Sequence, residues 1–283
     1  MVIYTYGVID SKDTIDETIF GLEGAGVYNV SYRDIGVAVS ELGEKMQEIT
    51  DTNVLKHEEV IETLMTKFTV LPIRFSTIFN TKEELLLIVE FYYQDFKDNL
   101  DRLRNKVEFG IKVMWPAKII KQRIAEVYNK RKFTVSIMAD SPGKTFVKEK
   151  FEKHIIEKEF EEEAVRCIAV VDDYFNKIAS ERKIKKLQTE NLLLNAAYLV
   201  GKDKQDDFKK AFEQLKSTPS DLKFLFSGPW PCYNFITLTK KPSSADYFNA
   251  EHMLNRLLAQ QGLPERVQHD HEPRYLTGMN GGF

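Results

Sequence analysis

The sequence predicts an α+β protein of two domains followed by a tail, and three observations carry that prediction. Strand-like runs with period two and helix-like runs with apolar residues three and four apart succeed one another over the first 240 positions. A self-contained strand and helix order restarts at Val107. Beyond Lys241 the chain turns polar and carries Pro242, Pro264, Pro273, Gly278, Gly281 and Gly282. With 283 residues there is enough chain for two cores. The expected spans are 1–105, 106–240 and 241–283, with the first boundary between Arg102 and Lys106.

Val2 to Ile9 reads as a first strand and Thr14 to Leu22 as a short helix, closed by a turn at Gly24-Ala25-Gly26. Val27 to Tyr32 and Gly36 to Leu42 read as a hairpin joined at Arg33-Asp34-Ile35. From Thr52 the period changes, and Val54, His57, Ile61, Leu64 and Phe68 fall on one helical face that ends before Leu71-Pro72. Ile73 to Phe79 alternates like a strand. Thr81 with Glu84 forms a capping box for a long helix to about Asn105.

The second half opens with a strand from Val107 to Trp115, stopped by Pro116, and a helix from Ala117 to Lys130. Phe133 to Lys144 carries mixed signals. Ile156, Phe160, Ala164, Cys167, Val171, Phe175 and Ile178 keep one face of a long helix apolar, so Phe146 to Ile178 is helical. Ile184 to Leu187 and Leu192 to Val200 read as strands. Asp203 is expected to cap a helix that turns Phe208, Ala211, Phe212 and Leu215 inward. Leu222 to Phe226 is the last strand. From Val107 the order is βαββαβ, that of a ferredoxin-like sandwich with extra helix in its first crossover, in which first and last strands are neighbours.

Composition narrows the function classes. The chain is 43% hydrophobic, 12% aromatic and 29% charged with a formal net charge of -3, an ordinary globular balance that argues against a broad basic surface for nucleic acid. Cys167 and Cys232 lie too far apart to suggest a metal cluster or disulfide framework, and a reducing compartment fits. No apolar run reaches the ~18 residues of a membrane span, and the first ten residues lack the basic region of a signal peptide. A cytoplasmic protein is the expectation.

Chemistry-bearing patterns are few. Asp140-Ser141-Pro142-Gly143-Lys144-Thr145 stands between a strand-like run and a helix, the setting of a phosphate-binding loop, but the position of the required first glycine is Met138. Val170-Val171-Asp172-Asp173 repeats with helical period, so its aspartates read as a helix surface rather than a metal-binding strand. His57 with Glu58 and Glu62 has the spacing of a metal site. Its alignment with Val54 and Ile61 instead reads as a hydrogen-bonded core histidine beside a solvated acidic face. His269-Asp270-His271 lies in the tail. No catalytic, cofactor or metal residue is assigned.

The most unusual stretch is Ser227-Gly228-Pro229-Trp230-Pro231-Cys232-Tyr233-Asn234-Phe235. Pro229 and Pro231 remove two backbone donors, which bars a central strand or helix and holds Trp230 on stiff, extended chain. Trp230 then either caps its own core at a kinked strand end or is presented to a partner.

That stretch, with Tyr6-Gly7-Val8, Val70 to Phe79 and Leu194 to Val200, occurs in the order and approximate spacing of the gas vesicle protein F/L family (GvpF/GvpL), which residues 1 to 240 resemble. Ser76 stands where the family pattern usually has glycine. The resemblance implies a two-domain α+β fold and a non-enzymatic, minor structural or accessory role in gas vesicle assembly. It also implies partnership with the hydrophobic major shell protein and other accessory proteins. Side chains suited to such contacts are Arg74, Phe75, Pro229, Trp230, Pro231, Tyr233 and Phe235, although Phe75 and Phe235 also fit a core and Arg74 also fits a buried carboxylate. The competing readings are an enzyme using the Lys144 loop for a phosphorylated ligand and a ferredoxin-like ligand-sensing module. In the tail, Ser243 and Asp246 would cap a helix with Tyr247, Ala250, Leu254 and Leu257 on one face, expected to dock on its own chain.

Overall fold

A computed structural model describes residues 1–15, 18–43, 50–132, 142–185, 187 and 189–239, without the side chains of 131, 132 and 142–148. The expectations for 133–141, for the helix at Tyr247 to Leu257 and for His269-Asp270-His271 lie outside the described residues. The chain divides into two compact units, Met1–Val107 with the segment from Trp230 onward, and Glu108–Pro229.

The first unit is built around β1 (Val2–Ile9), every residue of which after Val2 is buried. It pairs antiparallel with β3 (Ile35–Leu42), which also pairs with β2 (Tyr28–Tyr32) across the predicted hairpin. On its other side β1 meets β4 (Val70–Pro72) and β5 (Ile78–Phe79). Gly7 is required where β4 crosses: a Cβ there would stand 2.7 Å from Val70 and 3.0 Å from the Leu71 carbonyl oxygen. Helix α1 (Asp51–Met65) starts where the period changed, with Thr50 Oγ1 accepting from the Asn53 amide. Helices α2 (Lys82–Phe91) and α3 (Tyr93–Leu103) complete the unit.

Three expectations in this half are corrected. Among its described residues, Thr14 to Leu22 is not helical: Phe20 bridges Gly26, and a short 3-10 turn covers Leu22–Gly24. The backbone donors there are drawn elsewhere, Leu22 N–H to the Tyr6 hydroxyl and Val27 N–H to the Ile19 carbonyl. The strand Ile73 to Phe79 is broken by a turn over Arg74 to Thr77 in which Ser76 is left-handed, at φ 67°. Finally, the long helix bends at Tyr92, whose φ of -96° and ψ of 9° end α2 while its ring stays buried, so that α3 buries Phe96, Leu100 and Leu103.

The second unit carries a sheet of order β7-β8-β6-β9, from β6 (Lys106–Met114), β7 (Ala179–Ile184), β8 (Leu192–Gly201) and β9 (Lys223–Trp230). First and last strands are neighbours, as the element order predicted. Helices α4 (Ala117–Lys132), α5 (Pro142–Phe175) and α6 (Gln205–Ser217) accompany it. The core is aromatic: Phe208 stacks on Phe109 at 5.0 Å and also meets Phe175, Tyr198 and Phe226. Phe208, Ala211, Phe212 and Leu215 are buried as their spacing predicted.

This unit also departs from what its sequence predicts. Asp203 lies in a 3-10 turn before α6 and supplies no cap, since Lys202–Lys204 carry the chain into the helix. The strand before β8 lies earlier than Ile184 to Leu187, at Ala179–Ile184. Asp172 is buried rather than a surface residue of α5: it pairs with Arg182 of β7 and accepts from the Tyr198 hydroxyl at 3.1 Å. Strand β9 runs through Pro229, which is tolerated because β9 is the sheet edge and needs no outward donor. Gly228, at φ 107°, has no room for a side chain, since a Cβ would meet the Glu108 carbonyl oxygen at 2.6 Å.

Candidate functional site

Two of the four stretches that carry the resemblance meet around His57 in the first unit, and Tyr233 of a third bonds to the neighbouring Glu58. The histidine is buried on the α1 face predicted for it and bonded at both ring nitrogens. Nε2 lies 2.9 Å from the Ile73 carbonyl oxygen, which can only accept, so Nε2 carries the proton and Nδ1 accepts from the Tyr4 hydroxyl at 2.9 Å. Burial lowers its pKa to about 4, so the ring is neutral at neutral pH. Tyr6 stacks on it at 5.5 Å, and Phe75 meets it edge-on at 5.7 Å.

This cluster fixes the turn that follows β4. The Tyr4 oxygen accepts from the Ser76 amide at 3.1 Å, Ile73 N–H donates to the Tyr6 carbonyl, and Thr77 Oγ1 donates to the Arg74 carbonyl at 2.8 Å. Burial raises the pKa of both tyrosines, keeping their hydroxyls protonated. Arg74 projects from the turn and is exposed, while Phe75 is half-buried against the core. Ser76 explains the glycine of the family pattern: its backbone is in the region glycine adopts without steric cost.

The Trp230 stretch separates into an exposed and a buried part. Pro229 is exposed and Trp230 keeps 40% of its surface open. Pro231, Cys232 and Phe235 are buried, which assigns Pro231 and Phe235 to packing rather than to a partner surface. Tyr233 is half-buried, and its hydroxyl donates to Glu58 Oε1 at 2.7 Å. Glu58 is therefore not part of a solvated acidic face, and burial raises its pKa. Glu59 and Glu62 remain exposed.

After Phe235 the chain lies along α3 and is gripped by three polar side chains at helical spacing. The Phe235 carbonyl accepts from Arg102, Thr237 exchanges two bonds with the Asn99 amide at 2.7 and 3.0 Å, and Thr239 N–H donates to Asp95 at 2.9 Å. Asn99 also donates to the Asp95 carbonyl at 2.7 Å and accepts from Arg102 at 3.1 Å, so each of its polar atoms is used. Sequence reasoning missed this clasp. The available signal was Asp95, Asn99 and Arg102 recurring on the same face as Phe96, Leu100 and Leu103, polar groups where a core-facing helix should be apolar.

The arrangement orients backbone rather than activating a nucleophile. Among the described residues no cluster of His, Cys, Asp and Glu is set to hold a metal ion, and no helix is long and apolar enough to cross a membrane. Pro142 to Thr145 begin α5, whereas Asp140 and Ser141 lie outside the described residues.

The family description "Gas vesicle synthesis protein GvpL/GvpF" matches residues 2–237. Gas vesicle protein F2 of Halobacterium salinarum is 26% identical over 240 residues, covering 83% of this chain and 92% of that protein. Gas vesicle protein F of Haloferax mediterranei is 26% identical over 241 residues, covering 83% and 93%. Among solved structures, GvpF from Anabaena sp. PCC7120 superposes with a TM-score of 0.72 at 21% identity, over 84% of this chain and 99% of that one. GvpF from Microcystis aeruginosa superposes with the same values. The fold is thus that of the GvpF structures, and with the family match spanning nearly all of the described residues, the chain belongs to the gas vesicle synthesis protein GvpL/GvpF family.

Proposed function

We propose that this chain is a non-enzymatic accessory protein of gas vesicle assembly in the cytoplasm, binding the hydrophobic shell protein and other accessory proteins through a surface that includes Trp230. Family membership supports the assembly role, and the names of its relatives supply the vesicle. The observation that carries the contact surface is the contrast between the two tryptophans. Trp115 is buried with its indole N–H donated to the Glu190 carbonyl at 2.7 Å, whereas Trp230 is 40% exposed on a backbone stiffened by a proline on either side. An exposed indole that loses little freedom on binding is a good anchor for an apolar partner.

The test is Trp230→Ala in the full chain, assayed by pull-down of co-expressed shell protein and by thermal unfolding. Binding is expected to weaken at least ~10-fold, about the worth of an aromatic anchor, with the melting temperature nearly unchanged. A variant that melts much earlier while its folded fraction still binds would overturn the reading of Trp230.

A further inference from the structure

We infer that Arg74 is a dedicated carboxylate receptor, reading an acidic side chain on a protein partner. The inference rests on the accessory role proposed above and names the partner chemistry at a second point of its surface. Arg74 sits at the head of the turn between β4 and β5, exposed, and its guanidinium makes no hydrogen bond or ion pair among the described residues. An exposed arginine alone is commonplace; the construction beneath this one is not. The residue before it is held at both ends, its carbonyl by His57 Nε2 and its amide by the Tyr6 carbonyl. The following residue, Phe75, packs edge-on against Tyr4 at 6.2 Å and His57 at 5.7 Å. Ser76 is held left-handed while its amide donates to the Tyr4 hydroxyl. A buried histidine and a buried tyrosine thus direct their bonding to the backbone of one half-buried turn whose exposed residue is Arg74, and the turn keeps a conformation unfavourable to its serine. The side chain so presented is the unpaired guanidinium.

The chemistry of the turn selects the ligand. A phosphate is usually held by several amides or cations converging on it. Here the amides of Ile73, Ser76 and Thr77 are already bonded to Tyr6, Tyr4 and Arg74 oxygens, so three of the turn's donors are spent on the protein itself. The one exposed side chain of the turn is a planar fork, which matches the two oxygens of a carboxylate.

The experiment uses the full chain with wild type, Arg74→Lys, Arg74→Gln and Arg74→Glu, each co-expressed with tagged shell protein and quantified by pull-down. Arg74→Glu is expected to lower recovery at least ~10-fold, Arg74→Gln to follow it, and Arg74→Lys to retain an intermediate share, because a point charge keeps attraction and loses the second bond. Lysine substitutions at each Asp and Glu of the shell protein then include one that restores binding to Arg74→Glu. Recovery of Arg74→Glu within twofold of wild type overturns the inference, as does lost binding that no reversal restores. Inorganic phosphate that raises the melting temperature of wild type but not of Arg74→Gln would replace the carboxylate by a phosphate. A wild-type chain that recovers no shell protein overturns the functional reading itself, a result distinct from any of these.

Discussion

The two units are stabilised by different means. Around Phe208 the second unit stacks aromatic rings with few polar atoms, and of its two buried carboxylates, Glu108 and Asp172, the latter is neutralised by Arg182 and bonded to Tyr198. The first unit buries Tyr4, Tyr6, Ser40, His57, Asp95 and Asn99, and spends most of their bonding capacity on loop backbone. Ring stacking rewards any arrangement that fills space, whereas a buried polar group is satisfied by only a few. The second unit therefore serves as a packed scaffold, and the first holds particular loops in particular places.

Phe208→Ala should cost about 4 kcal/mol, a typical loss for a large buried ring, read from urea unfolding of the full chain. A loss under ~1 kcal/mol would mean that the stack is not what holds the second unit together.

Acid sharpens the contrast from the other side. His57 titrates near 4 in the fold against 6.5 unfolded, so between those values the unfolded chain binds a proton that the folded chain refuses. Its contribution is complete above pH 6.5 and is lost as pH falls toward 4, amounting to about 3 kcal/mol. Unfolding followed by hydrogen exchange at α1 should show this loss, and His57→Gln should flatten it. Equal pH dependence in the variant would assign the effect to another group.

Removing the middle of the α3 clasp has a smaller expected effect. Asn99→Leu leaves the Thr237 amide and carbonyl without their partners and should cost about 2 kcal/mol. Faster exchange at Thr237 and Thr239 with α6 unaffected is the expected pattern, and unchanged exchange at those two amides would show that the clasp does not hold the segment. Smallest of all, Ser76→Gly should stabilise the first unit by about 0.5 to 1 kcal/mol, because glycine takes the left-handed turn without the steric cost serine bears. A lower melting temperature in that variant would show that the serine side chain matters more than its backbone.

Much of the scaffold was legible. The alignment of His57 with Val54 and Ile61 identified a core histidine because helix period is a local property, and the same reasoning placed Phe208, Ala211, Phe212 and Leu215. The site was legible only in part. Arg74 and Trp230 were identified as surface candidates, but Phe235 and Pro231, chosen for the same motif, are buried. Alternation also misread Ile73 to Phe79, since a turn flanked by two short strands shows the same apolar and polar order as one strand.

The sequence by itself determined the elements whose signal is local: the apolar run of β1, the β2–β3 hairpin, the faces of α1 and α6, and the motifs that identify the family. Only the tertiary structure decided that the chain turns at Ser76, and that its described end from Trp230 rejoins the first unit. The reason lies in where the bonding partners are. Ser76 is held by Tyr4, 72 residues away, and Thr237 by Asn99, 138 residues away, so neither conformation follows from the residues that adopt it.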